Sequence, residues 1–407
     1  MDDKQITHGL KALELEFGVE TVARTKEAVG RFTVEVPSWV FGEFGGGRFG
    51  SYMPPGFART IEEKLDDARF VHQLTGANPS VGVHVLWDLS ENGRDPSMKE
   101  AEKVSRAAVE RGLRIGSISP TYFLEGSFRG SLTAIEPETV DRYIEQTLFA
   151  AAASLEHGGS LLTLWLPDGS LYPGQVELGD SMRILKTSLQ RAYQKIDPNV
   201  TVLIEYKHFE PGTYSTAIPD WGAAALLAKS LGPNAGVLVD LGHHQCGKNI
   251  EQIVARLLVE QMLGGFHFNT RYAADDDQAV EPSGEMARIL YELVRGGVVA
   301  NEDPDKDWAY MIDQCSAREN RIQALLHTVD SLHISLARAM LVDRERLGQF
   351  QREDEILLAN RTFNDALLNA DVRPLVAAAR LEKNLPADPV RAYFDSGYQR
   401  QIEQNRT

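Results

Sequence analysis

Apolar positions along this chain fall into two alternating patterns. Short runs rich in β-branched and other apolar residues recur, and between them lie longer segments in which apolar residues return every three to four positions. The first pattern predicts buried strands and the second amphipathic helices. Candidate strands are 31–41, 80–87, 114–119, 160–167, 200–207, 235–241, 264–269 and 307–313. The intervening segments 59–74, 96–112, 137–156, 181–196, 219–231, 250–263 and 283–296 predict helices. Strand and helix alternating in this way require parallel strands with crossover helices. Eight such units specify a (β/α)8 TIM barrel more economically than a doubly wound sheet.

Both ends of the chain depart from the repeat. Residues 1–30 predict one leading helix, and residues from 317 onward predict helices with no strand between them. The expected division is a catalytic barrel over 1–316 and a helical extension over 317–407. Subunit packing accounts for such an extension more simply than a separate activity does. A homo-oligomer, a tetramer, is therefore expected.

Composition narrows the function classes. At 407 residues and 43% apolar, the chain can bury a large core. A formal net charge of -16 opposes nucleic acid as a partner. No run of about 20 apolar residues occurs and the N-terminal segment is polar and amphipathic, so a cytoplasmic protein without membrane spans is expected. Cys246 and Cys315 form no CxxC pair, which excludes a disulfide framework and a thiolate zinc site.

Active sites of barrels lie at the C-terminal ends of the strands. Those ends carry Glu205 and Lys207 on the fifth strand, Asp240 and then His243 on the sixth, His267 on the seventh and Asp313 on the eighth. The loop after the seventh holds Asp275, Asp276 and Asp277. An Asp ending a strand often only caps the next helix, a DDD run is often a solvated turn, and His243 with His244 could be a packing pair. Joint occurrence at four successive strand ends is what favours chemistry. Carboxylates so close repel one another unless protons or cations intervene. Oxygen-rich ligands with imidazole and no thiolate suit Mn²⁺, Mg²⁺ or Co²⁺. Glu205, Asp240, His243, His267, Asp275, Asp277 and Asp313 make seven ligands, which exceed the needs of one ion and would serve two that share a carboxylate.

The motifs IEYKHFEPGTYS, VDLGHHQCGKNIE, GFHFNTRYAADDD and WAYMIDQC, with PSWVFGEFGGGRF, SVGVHVLWD and LTLWLPDGS, resemble L-rhamnose isomerases of the kind related to xylose isomerase. The resemblance covers nearly the whole chain. It implies a structural metal site of Glu205, Asp240, His267 and Asp313, and a catalytic one of His243, Asp275 and Asp277 with Asp240 bridging. It further implies two divalent ions per subunit, Mn²⁺ first, with Mg²⁺, Co²⁺ or Zn²⁺ as substitutes. His84 would contact the sugar near its reactive end, Lys207 would bond its terminal oxygen, and Trp39 and Trp165 would wall the pocket. Phe49 would reach a neighbouring subunit's pocket. Read without the resemblance, His84, Trp39 and Trp165 could equally be core residues. The implied reaction interconverts an aldose and a ketose, L-rhamnose and L-rhamnulose first, with L-lyxose, L-mannose and D-allose as alternatives. The rivals are a metal-dependent sugar epimerase, a metallohydrolase and a non-enzymatic binding subunit.

Overall fold

The structure, a computed structural model, describes residues 1–42, 55–123, 126–210, 214–272, 275–299, 309–315 and 319–406, with the backbone alone for 271–272 and 275–277. Eight parallel strands form one sheet in chain order: Val36–Pro37 (β1), Ser80–His84 (β2), Arg114–Ser119 (β3), Leu161–Trp165 (β4), Thr201–Glu205 (β5), Ala235–Asp240 (β6), Leu263–Phe268 (β7) and Ala309–Ile312 (β8). The expected barrel is thus the observed one. The two ends of the sheet meet at Glu35, whose N–H donates to the Tyr310 carbonyl at 2.8 Å and whose carbonyl accepts from the Ile312 N–H at 2.9 Å. Strands such as β5 and β6 are buried nearly throughout, as parallel strands covered by helices must be.

β1 is much shorter than the 31–41 run suggested. Pro37 has no N–H to donate to a ladder, and the chain turns at once into a single 3-10 turn at Trp39–Phe41. The leading segment is two helices, Asp3–Phe17 and Val19–Arg31, rather than one. Gly18 separates them with φ of +86°, a conformation that ends a helix.

Crossover helices at Ile61–Thr75, Met98–Glu110, Pro137–His157, Leu178–Tyr193, Trp221–Leu231, Ile250–Val259 and Gly284–Arg295 surround the sheet. The helix Arg321–Leu341 packs against both Gly284–Arg295 and Ile61–Thr75 and so takes the eighth place in the ring. Of the remaining helices, Arg373–Leu381 packs over the leading pair and Pro389–Ser396 over the first crossover helix, while Arg344–Arg352 and Ile356–Asn364 pack on each other. One hydrophobic cluster includes Leu13, the barrel residues and Ile402, so both ends of the chain share the barrel's core.

Short antiparallel strands decorate the C-terminal face. Gly169–Ser170, Phe209–Glu210 and Tyr214–Thr216 form a three-stranded ribbon after β4 and β5, and Thr270–Tyr272 pairs with Asp275–Gln278 after β7. Among the described residues, no helix is long and apolar enough to cross a membrane.

Candidate metal centre

Four side chains meet at the mouth of the barrel. Glu205 is the last residue of β5, Asp240 the last of β6, His267 lies in register with Asp240 on β7, and Asp313 follows β8. Each offers one ligand atom, and these atoms all lie within 4.8 Å of one another. None of the three carboxylates caps the helix that follows it. Asp220, Asn249 and Asn320 do that work, accepting from Ala223, Gln252 and Gln323. The capping explanation therefore lapses for Glu205, Asp240 and Asp313, leaving them free to face the mouth.

The cluster is held from behind by hydrogen bonds. Asp240 Oδ1 accepts from Gly242 N at 2.8 Å, His243 N at 3.2 Å and Asn269 Nδ2 at 3.0 Å. Trp39 Nε1 donates to Asp313 Oδ1 at 2.9 Å. His267 Nδ1 stands 3.4, 3.6 and 3.5 Å from Glu205, Asp240 and Asp313. His243 turns inward, its Nδ1 3.0 Å from the Tyr206 carbonyl and 3.2 Å from Glu205 Oε1. A proton on Nδ1 satisfies both acceptors and leaves Nε2 as the ring's lone-pair atom. His244 instead pairs with the Tyr206 hydroxyl at 2.7 Å and the Leu241 carbonyl at 3.2 Å, so the two histidines are not a packing pair.

Burial penalises every charge here, and the groups respond in opposite directions. Burial raises the Glu205 pKa, but His267 and His243 outweigh it and bring the carboxyl down to about 2. At Asp240 burial prevails and the pKa is raised despite the same two imidazoles. Burial alone would lower the His267 pKa, yet Glu205, Asp240 and Asp313 together raise it well above the ordinary value. Without a metal the three carboxylates thus hold a proton on His267. A divalent cation supplies more positive charge in the same place, and the oxygen-rich donor set suits one.

The other half of the mouth is aromatic. Ring centroids link Trp39 to His84 at 4.9 Å, His84 to Trp87 at 4.6 Å and to Phe123 at 5.5 Å, and Phe123 to Trp165 at 5.1 Å. Trp165 then stacks beside His243 at 6.4 Å. Lys207 Nζ lies 5.6 Å over the Trp165 ring and 3.4 Å from Glu210. Burial pulls the His84 pKa down to about 4, so its imidazole is neutral near pH 7. Asp88, buried behind this wall, accepts from Ser38 Oγ at 2.6 Å, Lys64 Nζ at 2.7 Å and the His84 N–H at 3.0 Å, tying the ends of β1 and β2 together.

An acidic cluster on β5 to β8 that could hold a metal ion faces an aromatic arc on β1 to β4, an arrangement that suits a small polar ligand with apolar faces. Residues 81–313 match the family described as xylose isomerase-like TIM barrel. The chain belongs to that family. Within the xylose isomerase-like barrels, it is 35% identical over 391 residues to a probable sugar isomerase of Rhizobium meliloti, covering 94% of this chain and 88% of that one. A probable sugar isomerase of Mesorhizobium japonicum is 33% identical, with 93% and 87% covered. An L-rhamnose isomerase of Rhodopirellula baltica is 22% identical, with 74% and 71% covered.

Not every expected site residue of this xylose isomerase-like chain is described. Phe49 lies outside the described residues, and for Asp275 and Asp277 the structure describes only the backbone, in the hairpin after β7. Trp87, Phe123, Asp88 and Asn269 enter the site without having been singled out in the sequence. Trp87 and Asp88 stand within the SVGVHVLWD motif, three and four residues past His84, where a strand-end reading could have reached them.

Proposed function

We propose that this chain is a metal-dependent aldose-ketose isomerase that uses two divalent ions, Mn²⁺ first, with L-rhamnose to L-rhamnulose as the leading conversion. The observation that carries the reading is the convergence of Glu205, Asp240, His267 and Asp313 opposite the aromatic arc. The name of the Rhodopirellula baltica relative supports rhamnose over L-lyxose, L-mannose or D-allose.

Glu205, Asp240, His267 and Asp313 would hold the ion that anchors the sugar, and His243, Asp275 and Asp277 the ion nearest C1 and C2, with Asp240 between them. When bound, such ions supply Lewis-acid polarisation of the sugar's oxygens. The chain's own groups do the rest. Neutral His84 can take a hydroxyl proton as the ring opens. Lys207 donates to the sugar's terminal oxygen, and Trp39, Trp165 and Phe49 exclude water against its C–H face. Trp165 Nε1 is buried with no partner among the described residues, which suits a donor awaiting a sugar hydroxyl. A tetramer fits the exposed apolar run of Ile356, Leu357, Leu358 and Leu368 on the C-terminal helices.

The deciding assay incubates the protein and Mn²⁺ with a panel of aldoses and measures ketose. Turnover of L-rhamnose, abolished by chelation, is expected. Bound metal with no ketose from any aldose sinks the isomerase reading, and interconversion of ketoses alone makes the enzyme an epimerase. His243→Ala and Asp277→Asn are expected to remove turnover while leaving the fold intact, and full activity in either ends the case for the second ion.

A further inference from the structure

Below the metal cluster the barrel is not packed in the usual way. The interior of such a barrel is normally filled by layers of branched apolar side chains. Here β2 and β3 present Ser80, Gly82, Gly116 and Ser117, and β4 presents Thr163. A Cβ at Gly116 would run into the Glu35 carboxylate, and one at Gly82 would meet Met311 Sδ at 2.6 Å and Glu35 Oε1 at 3.0 Å. These positions are kept small to admit a buried carboxylate.

Glu35 Oε2 accepts from Ser80 Oγ at 2.6 Å, and Oε1 accepts from the Ser117 N–H at 3.1 Å and from the Ser117 hydroxyl. Two carboxylate oxygens offer about four lone-pair sites, so three donors leave room for another. Beside Glu35 runs a cavity of about 130 Å³. It reaches from Asn78 and Arg114 at the N-terminal mouth, past Ser117, Thr163 and Met311, up to His267. His267 is the one member of the metal cluster that lines it.

The histidine's two nitrogens face different demands. Nδ1 is turned to the three carboxylates, so a metal bound there leaves the hydrogen on Nε2. That Nε2 is buried and has no protein partner among the described residues. Metal-ligating histidines almost always donate their second N–H to a carboxylate, a carbonyl or a water. A polar shaft with room for a few waters supplies the third.

We propose that water in this shaft links the His267 Nε2–H to the Glu35 carboxylate, so that Glu35 is a positioning residue that orients the metal ligand from inside the barrel. The proposal rests on the metal-site reading and is independent of which sugar is turned over. Glu35→Gln keeps the shape beside Gly116 while removing the charge. In the full chain, Mn²⁺ titration is expected to show affinity weakened about 10- to 100-fold. The gap in melting temperature between metal-free and Mn²⁺-loaded protein should narrow. A purely structural role would lower both temperatures together and leave the gap and the affinity unchanged, which overturns the proposal. Wild-type protein that binds no Mn²⁺ overturns the metal reading itself, and the proposal with it. Should Glu35→Gln fail to fold, a crystal structure of the Mn²⁺-loaded wild type decides the matter. Ordered water within hydrogen-bond distance of His267 Nε2 and leading to Glu35 is expected, and a dry shaft overturns the proposal.

Discussion

Trp39 has two tasks at the barrel mouth. Its ring meets His84 at 4.9 Å, and its Nε1–H donates to Asp313 Oδ1 at 2.9 Å. An aromatic wall could be Phe, Tyr or Trp, but only Trp offers a donor at this point on the ring. Trp39→Phe keeps most of the buried face and loses the hydrogen bond that orients Asp313. Removing such an outer partner typically weakens metal binding about tenfold or more, and calorimetric titration with Mn²⁺ should show it. Affinity equal to wild type would mean that Asp313 is oriented by its backbone alone. The contrast shows what single residues reveal. Glu205, Asp240, His267 and Asp313 were legible because each lies at, or within one residue of, the C-terminal end of a strand whose apolar run is unmistakable. The bond from Trp39 was not, since it joins residues 274 positions apart and leaves no periodic trace. Trp87 and Phe123 escaped for different reasons: Trp87 lies in a single helical turn, Val85–Asp88, where the apolar run 80–87 suggested strand throughout, and Phe123 sits in an irregular turn after β3, where apolar spacing assigns no face.

Elements beyond the strands show how the ends of the chain are fastened. Arg406 reaches Asp67 on the first crossover helix with Nη1 at 2.7 Å and Nη2 at 3.0 Å, and the Tyr398 hydroxyl adds a third bond at 2.7 Å. Both partners of the ion pair are buried. Arg406→Ala leaves a buried carboxylate without its charge partner and should cost about 3–5 kcal/mol in denaturant unfolding. Adding Asp67→Asn should recover part of that loss, and a single variant with an unchanged midpoint would show the pair to be idle. The helix Arg321–Leu341 was anticipated as a helix but not as the eighth of the ring, because periodicity reports an apolar face and not the neighbour it meets.

That same helix carries a pH-sensitive group. His333 Nε2 lies 3.0 Å from the Phe32 carbonyl and Nδ1 3.3 Å from Arg380 Nη2, so a neutral ring serves as donor to one and acceptor to the other. Burial first, and then the Arg380 charge, push its pKa down to about 3. The unfolded chain returns it to about 6.5. Above that pH the imidazole is neutral in both states and costs nothing. Between about 6.5 and 3 only the unfolded chain takes up the proton, so stability falls as pH drops, by up to about 1.4 kcal/mol per unit from this group. His333→Gln can keep both bonds without titrating. Its unfolding midpoint should fall less steeply than that of wild type between pH 6.5 and 4, and parallel curves would refute the assignment.

At the scale of the whole molecule, the four ligands come from four consecutive strands of one closed sheet. A metal held by Glu205, Asp240, His267 and Asp313 joins β5, β6, β7 and β8 at their C-terminal ends. Unfolding scatters residues that lie as far apart in sequence as 205 and 313, so the unfolded chain cannot reproduce the site and metal binding adds to folding stability. With Mn²⁺ at about 100 times its dissociation constant, the added stability is about 2.7 kcal/mol, enough to raise the melting temperature measurably. Chelation should remove that rise. Asp240→Asn should abolish it, because Asp240 is wholly buried and stands in both proposed metal sites. Its metal-free melting temperature should stay near that of wild type, since the Asn side-chain oxygen can still accept from Gly242 and His243. A melting temperature indifferent to Mn²⁺ in wild type would leave the cluster as a proton-sharing network centred on His267, and the isomerase reading would lose its support.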